Sequence, residues 1–325
     1  MTRIQTLTFQ DVVARLQTTR HEHHQHYLAM YSSWYGGIIA DPALMLTPVD
    51  DHMVHRGDGI FEAFRCIGGS LYLLAEHLDR LERSAELIHL AWPVDREEME
   101  RIIIETVRAG GSRDCLVRLF ISRGPGDFSP QPYAAIQSQL YIVITDLEPC
   151  DPRKQEIGCS MRTSAIPVKS TFFANVKSCN YLPNALMKKE AADCGVDYTL
   201  GLDEKGRIAE GGTENFGLIT PEGEFLVPGF ERILKGTTLV RAMELARGHP
   251  GASGLSRVEE VDLWPEDLHR AAEVLVFGTT QDVLPIVEFD GRPVGTGRPG
   301  PFAAKLREML VQDQASGNGV LTPVF

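Results

Sequence analysis

The sequence has 325 residues, of which 43% are hydrophobic and 23% are charged, and its formal net charge is -12 at pH 7. This length suffices for about two domains of ordinary size, each with its own core. The acidic balance argues against a protein that binds nucleic acid or an anionic membrane. No apolar run approaches the length of a membrane span, and the amino terminus has no signal-peptide core. We therefore expect a cytoplasmic protein.

Two groups of residues raise the question of metal or redox chemistry: the histidines of residues 21–26 and the six cysteines. The histidines have no matching cluster of Cys, Asp or His elsewhere, so we interpret the run as a solvated face and predict no metal site. The cysteines show no CxxC spacing and are expected to be reduced thiols. Cys179 is open to two interpretations, a reactive thiol or a packed small side chain.

Residues 1–146 predict a smaller N-terminal α/β domain. Its predicted elements follow from apolar spacing and from glycine-containing turns. They are an amphipathic segment at 9–16, a turn and strand at 55–65, a hairpin into 71–74, helices at 76–90 and 95–109, and buried strands at 115–121 and 140–144.

Arg118 interrupts the first of the two buried strands. A cation inside an apolar strand needs a partner or an anionic ligand. Arg118 is therefore either part of a structural ion pair or a residue of a binding pocket. The polar, proline-containing residues 147–157 are the best candidate for an interdomain linker, and residues 158–325 then form a larger C-terminal domain.

Lys177 is the most informative residue of this second domain. It follows residues 171–174, which are too apolar for an ordinary surface loop, and precedes a helix that can begin with Pro183 in its first turn and end at Gly195. Partial burial and a nearby helix dipole both disfavour the ammonium and favour a nucleophilic amine. The alternative is that Lys177 only extends its side chain from the end of a strand towards solvent.

Three further segments of the second half place polar groups at the ends of predicted elements. Residues 207–219 predict two strands joined by glycines, with Glu210 beside Gly211, where a ligand can approach the backbone closely. Gly236 precedes a predicted helix whose opening amides and hydroxyls suit a phosphate, although a plain N-cap is the other interpretation. A predicted strand at 274–277 ends in Thr279 and Thr280.

The order of these segments resembles the fold type IV pyridoxal-phosphate enzymes, the class IV aminotransferase family that includes branched-chain aminotransferases, D-amino-acid aminotransferases and aminodeoxychorismate lyase. The resemblance implies an α+β fold of two domains with the cofactor between them, and a homodimer. Residues 53–57, 124–128 and 176–178 look most like the plant D-amino-acid transaminases. The matching segments are 57–62, 77–81 with 84–85, 177 with 180–182, 210–211 with 214–215, 236–238, and 278–280 with Pro285.

The resemblance also implies a role for each matching residue. Lys177 would form the Schiff base with pyridoxal 5'-phosphate and shuttle the proton between substrate and cofactor. Glu210 would keep the pyridine nitrogen protonated, and Tyr181 would face the ring hydroxyl. The remaining residues are Arg80, the Thr237 amide, Thr238 and Thr279 for the phosphate, and Arg56, Arg118 and Thr280 for the substrate.

The implied reaction is the transfer of an amino group between an amino acid, branched-chain or D-configured, and a 2-oxo acid through pyridoxamine phosphate. The alternative is elimination of pyruvate by a 4-amino-4-deoxychorismate lyase. The residues after Phe61 are nearer to the transaminase pattern. The loop at residues 122–130 lacks the arginine-and-histidine carboxylate trap of bacterial D-amino-acid enzymes, which argues against strict D-specificity.

Overall fold

A computed structural model describes residues 4–316 and 319–325. The chain forms two compact units. The first contains the residues up to Ser70, Leu90–Leu147 and Pro323–Phe325, and the second contains Leu71–His89 and Glu148–Thr322. The mixture of helices and sheets in both units confirms the predicted α+β class.

The helices and strands are numbered in chain order. The strands are β1 (Tyr27–Ser32), β2 (Gly37–Ile39), β3 (Gly59–Ile67), β4 (Ser70–Tyr72), β5 (Cys115–Ser122), β6 (Gln139–Asp146), β7 (Cys159–Thr163), β8 (Tyr198–Leu200), β9 (Asn215–Ile219), β10 (Glu224–Pro228), β11 (Arg257–Val261), β12 (Glu273–Gly278), β13 (Asp282–Phe289), β14 (Arg292–Pro293) and β15 (Leu321–Pro323). The helices are α1 (Phe9–Thr18), α2 (His52–Arg56), α3 (Leu74–Leu87), α4 (Arg96–Gly110), α5 (Arg153–Ile157), α6 (Thr171–Ala174), α7 (Leu182–Cys194), α8 (Thr237–Gly248), α9 (Pro250–Ser253), α10 (Pro265–Arg270) and α11 (Pro301–Ser316).

The first unit is built on an antiparallel sheet in the order β3-β5-β6-β1-β2. Helix α4 packs against β1 and β6, because its apolar residues recur every three to four positions and are buried. The Asp95 side chain caps its amino end by accepting a hydrogen bond from the Glu98 amide (2.8 Å), and Gly111 ends it in the left-handed conformation. The predicted helix at 95–109 is confirmed.

The second unit contains a mixed sheet in the order β11-β10-β9-β12-β13-β7-β8. Apolar side chains cover both faces of this sheet, since alternate residues of β9 and β12 belong to two separate buried clusters. One cluster includes Leu239 and Met243 of α8 and Leu306 of α11. Both helices are therefore fixed on one face of the sheet, and the amino end of α8 is fixed with them.

The compact units differ from the predicted domains in the segment that contains α3. The prediction placed this helix in the N-terminal domain, whereas the structure places it in the second unit. The reason is a set of hydrogen bonds to residues distant in sequence. Arg80 donates to the Lys235 carbonyl (3.0 Å), and the Ser84 hydroxyl accepts from the Lys177 amide (3.2 Å).

The predicted linker at 147–157 is also partly structured, because it contains α5. The side chain of Gln155 in this helix donates a hydrogen bond to the Val283 carbonyl of β13 (2.9 Å). This tertiary contact fixes α5 on the second unit, which contains residues 148–157 of the segment.

Two local predictions in the second unit are wrong. The first of the two strands predicted within 207–219 is a loop, although it is held by reciprocal backbone hydrogen bonds between Gly201 and residues 209 and 210 (both 3.0 Å). Residues 171–174 were judged too apolar for the surface, yet they form the single helical turn α6. Its Phe172 and Phe173 side chains are about half exposed.

The histidine-rich segment forms a short 3-10 helix at Glu22–His26, and His26 contacts Asp146 at 3.1 Å. Within the described residues, no group of three or more His, Cys, Asp or Glu side chains is arranged to hold a metal ion. All six cysteines are free thiols. In the same part of the chain, no helix has the length and apolarity needed to cross a membrane.

A buried charge network joins α8 and α11. Asp313 is only 5% exposed and accepts hydrogen bonds from Arg241 (2.8 and 2.5 Å) and from the Tyr72 hydroxyl (2.7 Å). Burial opposes ionisation of Asp313, but these hydrogen bonds and the charge of Arg241 hold its pKa below the ordinary value of 3.8.

Replacement Asp313→Asn is expected to destabilise the protein by about 3 kcal/mol, because Arg241 loses its buried partner and keeps only the exposed Glu244. Since the folded-state pKa is depressed, the stability contributed by Asp313 is present above the ordinary pKa and is lost as the pH falls through the lower folded value. Urea unfolding at several pH values measures this, with the exposed pair partner Asp193→Asn as the control. Equal stability of both variants at pH 7 would contradict the prediction.

Candidate active site

One face of α3 connects the elements of the site. His77, Arg80 and Ser84 are spaced three and four residues apart, so they lie on the same side of the helix. All three are buried, with 2%, 6% and 0% exposure. The Ser84 hydroxyl holds the backbone of the Lys177 segment, while Arg80 holds the segment that leads to α8. The side of α3 that carries these three polar residues therefore faces the interior of the second unit.

Lys177 lies in the turn between α6 and α7. The helix after it begins as predicted, with Pro183 in the first turn, and ends where Gly195 adopts a positive φ of 70°. Its Val176 neighbour is fully buried and Lys177 itself is half-buried. The buried Val176 lies on one side of the lysine and α7 follows on the other. Between them, Lys177 lines a cavity.

This cavity brings together Lys177, Tyr181 and Glu210, three residues to which the family resemblance assigns cofactor roles. All of its lining residues belong to the second unit. Its lining residues are Lys169, Val176, Lys177, Tyr181, Asn184, Glu210, Gly211, Gly212, Thr213, Glu214, Asn215 and Leu234.

Glu210 is the buried acid of the cavity. Its side chain is 8% exposed, and its Oε2 atom accepts a hydrogen bond from the Leu234 amide (2.9 Å). Burial raises the pKa of Glu210, while the Leu234 hydrogen bond and the charges of Lys169, Lys177 and Arg80 act in the opposite direction. The Leu234 amide and the nearby cations therefore favour the ionised form of Glu210, which burial disfavours.

Lys169 is a residue of the cavity that the sequence analysis missed. Its ammonium lies over the ring of Tyr181, 5.5 Å from the ring centroid. Burial lowers the pKa of Lys169, and the charge of Glu210 opposes this shift. Lys169 lies in a loop without periodicity, eight residues before Lys177, and no local pattern indicated that this loop passes the cavity.

Asn184 is a second lining residue that the sequence analysis did not assign. It lies in the first turn of α7 and is 6% exposed. Its amide nitrogen donates to the Gly212 carbonyl (2.8 Å), but its Oδ1 atom has no hydrogen-bond partner among the described residues. An unpaired buried acceptor is costly unless a ligand or water satisfies it.

The amino end of α8 lies beside Asn215, the first residue of β9. Gly236 occupies the cap position, and no side chain of the described chain caps this end. The Asn215 amide nitrogen donates to the Leu234 carbonyl (3.0 Å). Its Oδ1 atom lies so close to Gly236 that a Cβ atom there would be 1.9 Å away. The glycine is therefore required for this backbone path, which leaves the first amides of α8 available.

A polar chain of contacts links α8 to α3. The Thr237 hydroxyl contacts His77 Nε2 at 3.2 Å, and His77 Nδ1 contacts the Arg80 guanidinium at 3.5 Å. Arg80 also donates to the Lys235 carbonyl, one residue before the cap. The structure thus places the predicted pair Arg80 and Thr237 together. His77 is the intermediate residue, and the sequence analysis did not assign it to the site.

Thr238 and Thr279 both lie near the end of the sheet at which β9 begins. Thr238 is the second residue of α8 and is 7% exposed. Thr279 follows the end of β12, whose Phe277 pairs with Asn215 at the beginning of antiparallel β9. In an antiparallel pair, the end of one strand lies beside the beginning of its neighbour. Thr279 therefore lies at the end of the sheet where Asn215 adjoins Gly236.

The three predicted substrate residues are not lining residues of the Lys177 cavity. Arg56 and Arg118 belong to the first unit. Arg56 is exposed and donates to the carbonyl oxygens of His55 and Phe128, whereas Arg118 donates to the Thr145 hydroxyl (2.7 Å). Thr280 is exposed in the second unit and contacts Gln281.

The residues of the second unit fit pyridoxal phosphate in three respects. A lysine amine, Lys177, shares a cavity with a buried carboxylate, Glu210, and pyridoxal phosphate needs an amine for its aldehyde and an acid for its ring nitrogen. The uncapped amides of α8 with Arg80 beside them suit a phosphate. The unpaired Oδ1 atom of Asn184 is a further acceptor at the cavity.

Comparisons with known proteins agree with this geometry. The family described as amino-transferase class IV matches residues 59–289. The chloroplastic D-amino-acid transaminase of Arabidopsis thaliana is 40% identical, over 90% of this chain and 78% of the relative. The putative branched-chain-amino-acid aminotransferase of Methanocaldococcus jannaschii is 33% identical, over 80% of this chain and 88% of the relative.

A solved structure, the T.th. branched-chain amino acid aminotransferase with pyridoxamine 5'-phosphate, superposes with a TM-score of 0.85 and 27% identity, over 92% of this chain and 99% of the other. The chain therefore belongs to the class IV aminotransferase family and is a fold type IV enzyme that depends on pyridoxal phosphate.

Proposed function

We propose that this aminotransferase moves an amino group between an amino acid and a 2-oxo acid in the cavity that contains Lys177 and Glu210. The observation that carries the proposal is the shared cavity: Lys177, Tyr181 and Glu210 line one opening within the second unit. Bound pyridoxal phosphate would supply an aldehyde and an electron-accepting ring.

We assign the holding of the cofactor to residues of the second unit. Arg80, the amides at Thr237, and the hydroxyls of Thr238 and Thr279 would bind the phosphate, supported by their common location at the amino end of α8. Glu210 would bind the ring nitrogen and Tyr181 the ring hydroxyl. Both side chains line the same cavity as Lys177.

Lys177 would act as the nucleophile that holds the cofactor and, once released, as the base that moves a proton to and from the substrate carbon. A base must reach two atoms in turn, so it needs a fixed backbone and a mobile side chain. The Ser84 hydroxyl fixes the Lys177 amide. The lysine side chain carries several rotatable bonds, which allow Nζ to move between the two carbon atoms.

Arg56, Arg118 and Thr280 would contact the substrate. Arg56 and Arg118 supply cations suited to a carboxylate, which every amino acid and 2-oxo acid carries. Support for Arg118 comes from its partly exposed position on β5, beside the Thr145 hydroxyl, since a cation in an otherwise apolar strand suits an anionic ligand.

We propose D-amino acids as the first substrate class, because the Arabidopsis relative with that name shares 40% of its residues. A half-reaction tests this: the loaded enzyme is mixed with one D- or L-amino acid and no oxo acid, and the absorbance of the bound cofactor is followed. Conversion by D-alanine or another D-amino acid is expected. Conversion by L-leucine or L-valine alone would assign the branched-chain class instead.

The same experiment tests transamination against elimination. Absence of conversion with every amino acid, together with pyruvate release from 4-amino-4-deoxychorismate, would overturn the proposed reaction. The relatives reported above are named as transaminases or aminotransferases, and none of these names describes a lyase.

We further propose a cytoplasmic homodimer. Support for a partner subunit comes from large apolar side chains of the first unit that are about half exposed or more, namely Trp34, Tyr35, Val49, Val54 and Tyr133. Support for a reducing compartment comes from the six free cysteines. The mass of the cofactor-loaded enzyme, measured by analytical ultracentrifugation, tests whether it is a dimer.

A further inference from the structure

Three cations surround Glu210, and two of them are committed to other tasks. The charges that favour its carboxylate are those of Lys169, Lys177 and Arg80. In the proposed function, Lys177 must be neutral when it attacks and when it accepts a proton, and Arg80 is engaged with a phosphate. Lys177 therefore cannot supply a constant positive charge to Glu210, and the permanent charge of Arg80 is shared with the phosphate.

Lys169 has no such second task in the structure. Its contacts within the described residues are the face of the Tyr181 ring and the charge of Glu210. Among the hydrogen bonds of that part of the chain, none is donated by the Lys169 ammonium, although the side chain is half-buried and lines the cavity. No ion pair with another acid in the described part of the chain therefore holds the Lys169 side chain in place.

We propose that Lys169 is a positioning residue of the active site, a counter-ion that favours the ionised form of Glu210 while Lys177 is neutral. The ring of Tyr181 fixes the ammonium by a cation–π contact at 5.5 Å from the ring centroid. The Lys169 ammonium therefore acts on Glu210 through its charge, while the Glu210 Oε2 atom accepts the hydrogen bond of the Leu234 amide.

The other charged side chain at this cavity, Glu214, has its own partners and does not replace Lys169. Glu214 accepts from Lys188 (3.0 Å) and from the Thr213 amide (2.9 Å) and hydroxyl. Its negative charge is therefore compensated locally. Removal of Lys169 leaves Lys177 and Arg80 as the cations that act on Glu210.

The inference rests on the role proposed for Glu210, but its test does not require turnover. In the full-length protein labelled with carboxyl-¹³C glutamate, the Glu210 resonance is identified by its loss in Glu210→Gln. Its titration is then followed with and without the cofactor. Lys169→Met is expected to move the titration midpoint to higher pH, because an opposite charge has been removed.

Two further variants show whether the shift is caused by the lost charge of Lys169 or by the changed shape of its side chain. Lys169→Arg keeps the cation and is expected to restore a midpoint near that of the unaltered protein. Lys189→Met removes an exposed lysine that pairs with Asp193 on α7 and is expected to leave the midpoint unchanged. An unchanged midpoint in Lys169→Met, or a shift that Lys169→Arg does not restore, would overturn the proposal.

A kinetic readout follows from the same shift. The acidic limb of the kcat profile of Lys169→Met is expected to move to higher pH, with KM for the oxo acid little changed, since the substrate contacts are proposed for Arg56, Arg118 and Thr280. If Lys169→Met does not fold, Lys169→Gln provides the neutral variant. If Glu210 titrates as expected in all variants but the unaltered enzyme shows no turnover, the inference about Lys169 stands and the proposed function is contradicted.

Discussion

Lys177→Ala is expected to lower kcat by at least about 10³-fold, because it removes both the nucleophile and the base of the proposed reaction. The backbone contact of residue 177 with Ser84 uses the amide and not the side chain, so the fold of the segment is retained. The variant is expected to bind pyridoxal phosphate without a covalent bond. Borohydride treatment followed by mass measurement therefore shows label on the unaltered chain and none on the variant.

The matched control is Lys189→Ala, since Lys189 lies on the adjacent helix and forms an exposed pair with Asp193. Exposed pairs of this kind contribute little to stability, so activity and thermal stability are expected to stay close to those of the unaltered enzyme. Turnover by Lys177→Ala above a tenth of normal would contradict the assignment of Lys177, whatever the state of the control.

Local signals were sufficient for the segments that carry Lys177 and the expected phosphate site. Pro183 and Gly195 act on their own backbone, so the beginning and end of α7 could be predicted from the sequence. The helix after Gly236 was predicted for the same reason. The resemblance to a known family then supplied the pairing of Lys177 with Glu210, which lie 33 positions apart and share no local pattern.

Long-range contacts explain what the sequence could not show. Helix α3 was placed in the wrong unit because its polar face is satisfied by Lys177, Lys235 and Thr237, and no periodicity reports such partners. Lys169 was missed because an isolated lysine in a loop is usually a solvated side chain. Its location over the Tyr181 ring depends on the path of the whole loop.

The exposed Phe172 and Phe173 illustrate a limit of apolar composition. A short apolar run indicates burial only when an element with a buried face contains it. Here the run forms one turn of helix, which buries Ala174 and leaves both rings about half exposed. The inference that Lys177 is partly buried was nevertheless right, because the burial is provided by Val176 and α3 instead.

Glu210→Gln is expected to lower kcat by roughly 10²-fold, the cost of losing one preorganised electrostatic partner in a closed site. Gln retains the size of the side chain, and its carbonyl oxygen can accept the Leu234 hydrogen bond that Glu210 accepts at 2.9 Å. The loss is therefore one of charge. Steady-state kinetics across pH measures it, and the pH dependence that Glu210 contributes to kcat should disappear with the carboxyl group.

The same replacement, Glu210→Gln, is expected to lower turnover without lowering stability, so the two measurements separate a role in catalysis from a role in folding. Because burial raises the pKa of Glu210, folding disfavours its carboxylate, and the protein loses stability as the pH rises from the unfolded pKa to the folded pKa. At pH 7 in the cofactor-free protein, Glu210→Gln is thus expected to unfold at an equal or higher denaturant concentration than the unaltered chain, while its turnover falls.

Glu214→Gln is the matched comparison, since Glu214 is another acid of the same cavity and is 6% exposed. Its carboxylate is paired with Lys188 and Thr213, so the neutral amide weakens contacts that hold the fold and should lower stability, with a smaller effect on kcat. A loss of stability in Glu210→Gln equal to that in Glu214→Gln would mean that Glu210 is a structural acid. Lower turnover with retained stability is the result that a residue kept ionised for chemistry requires.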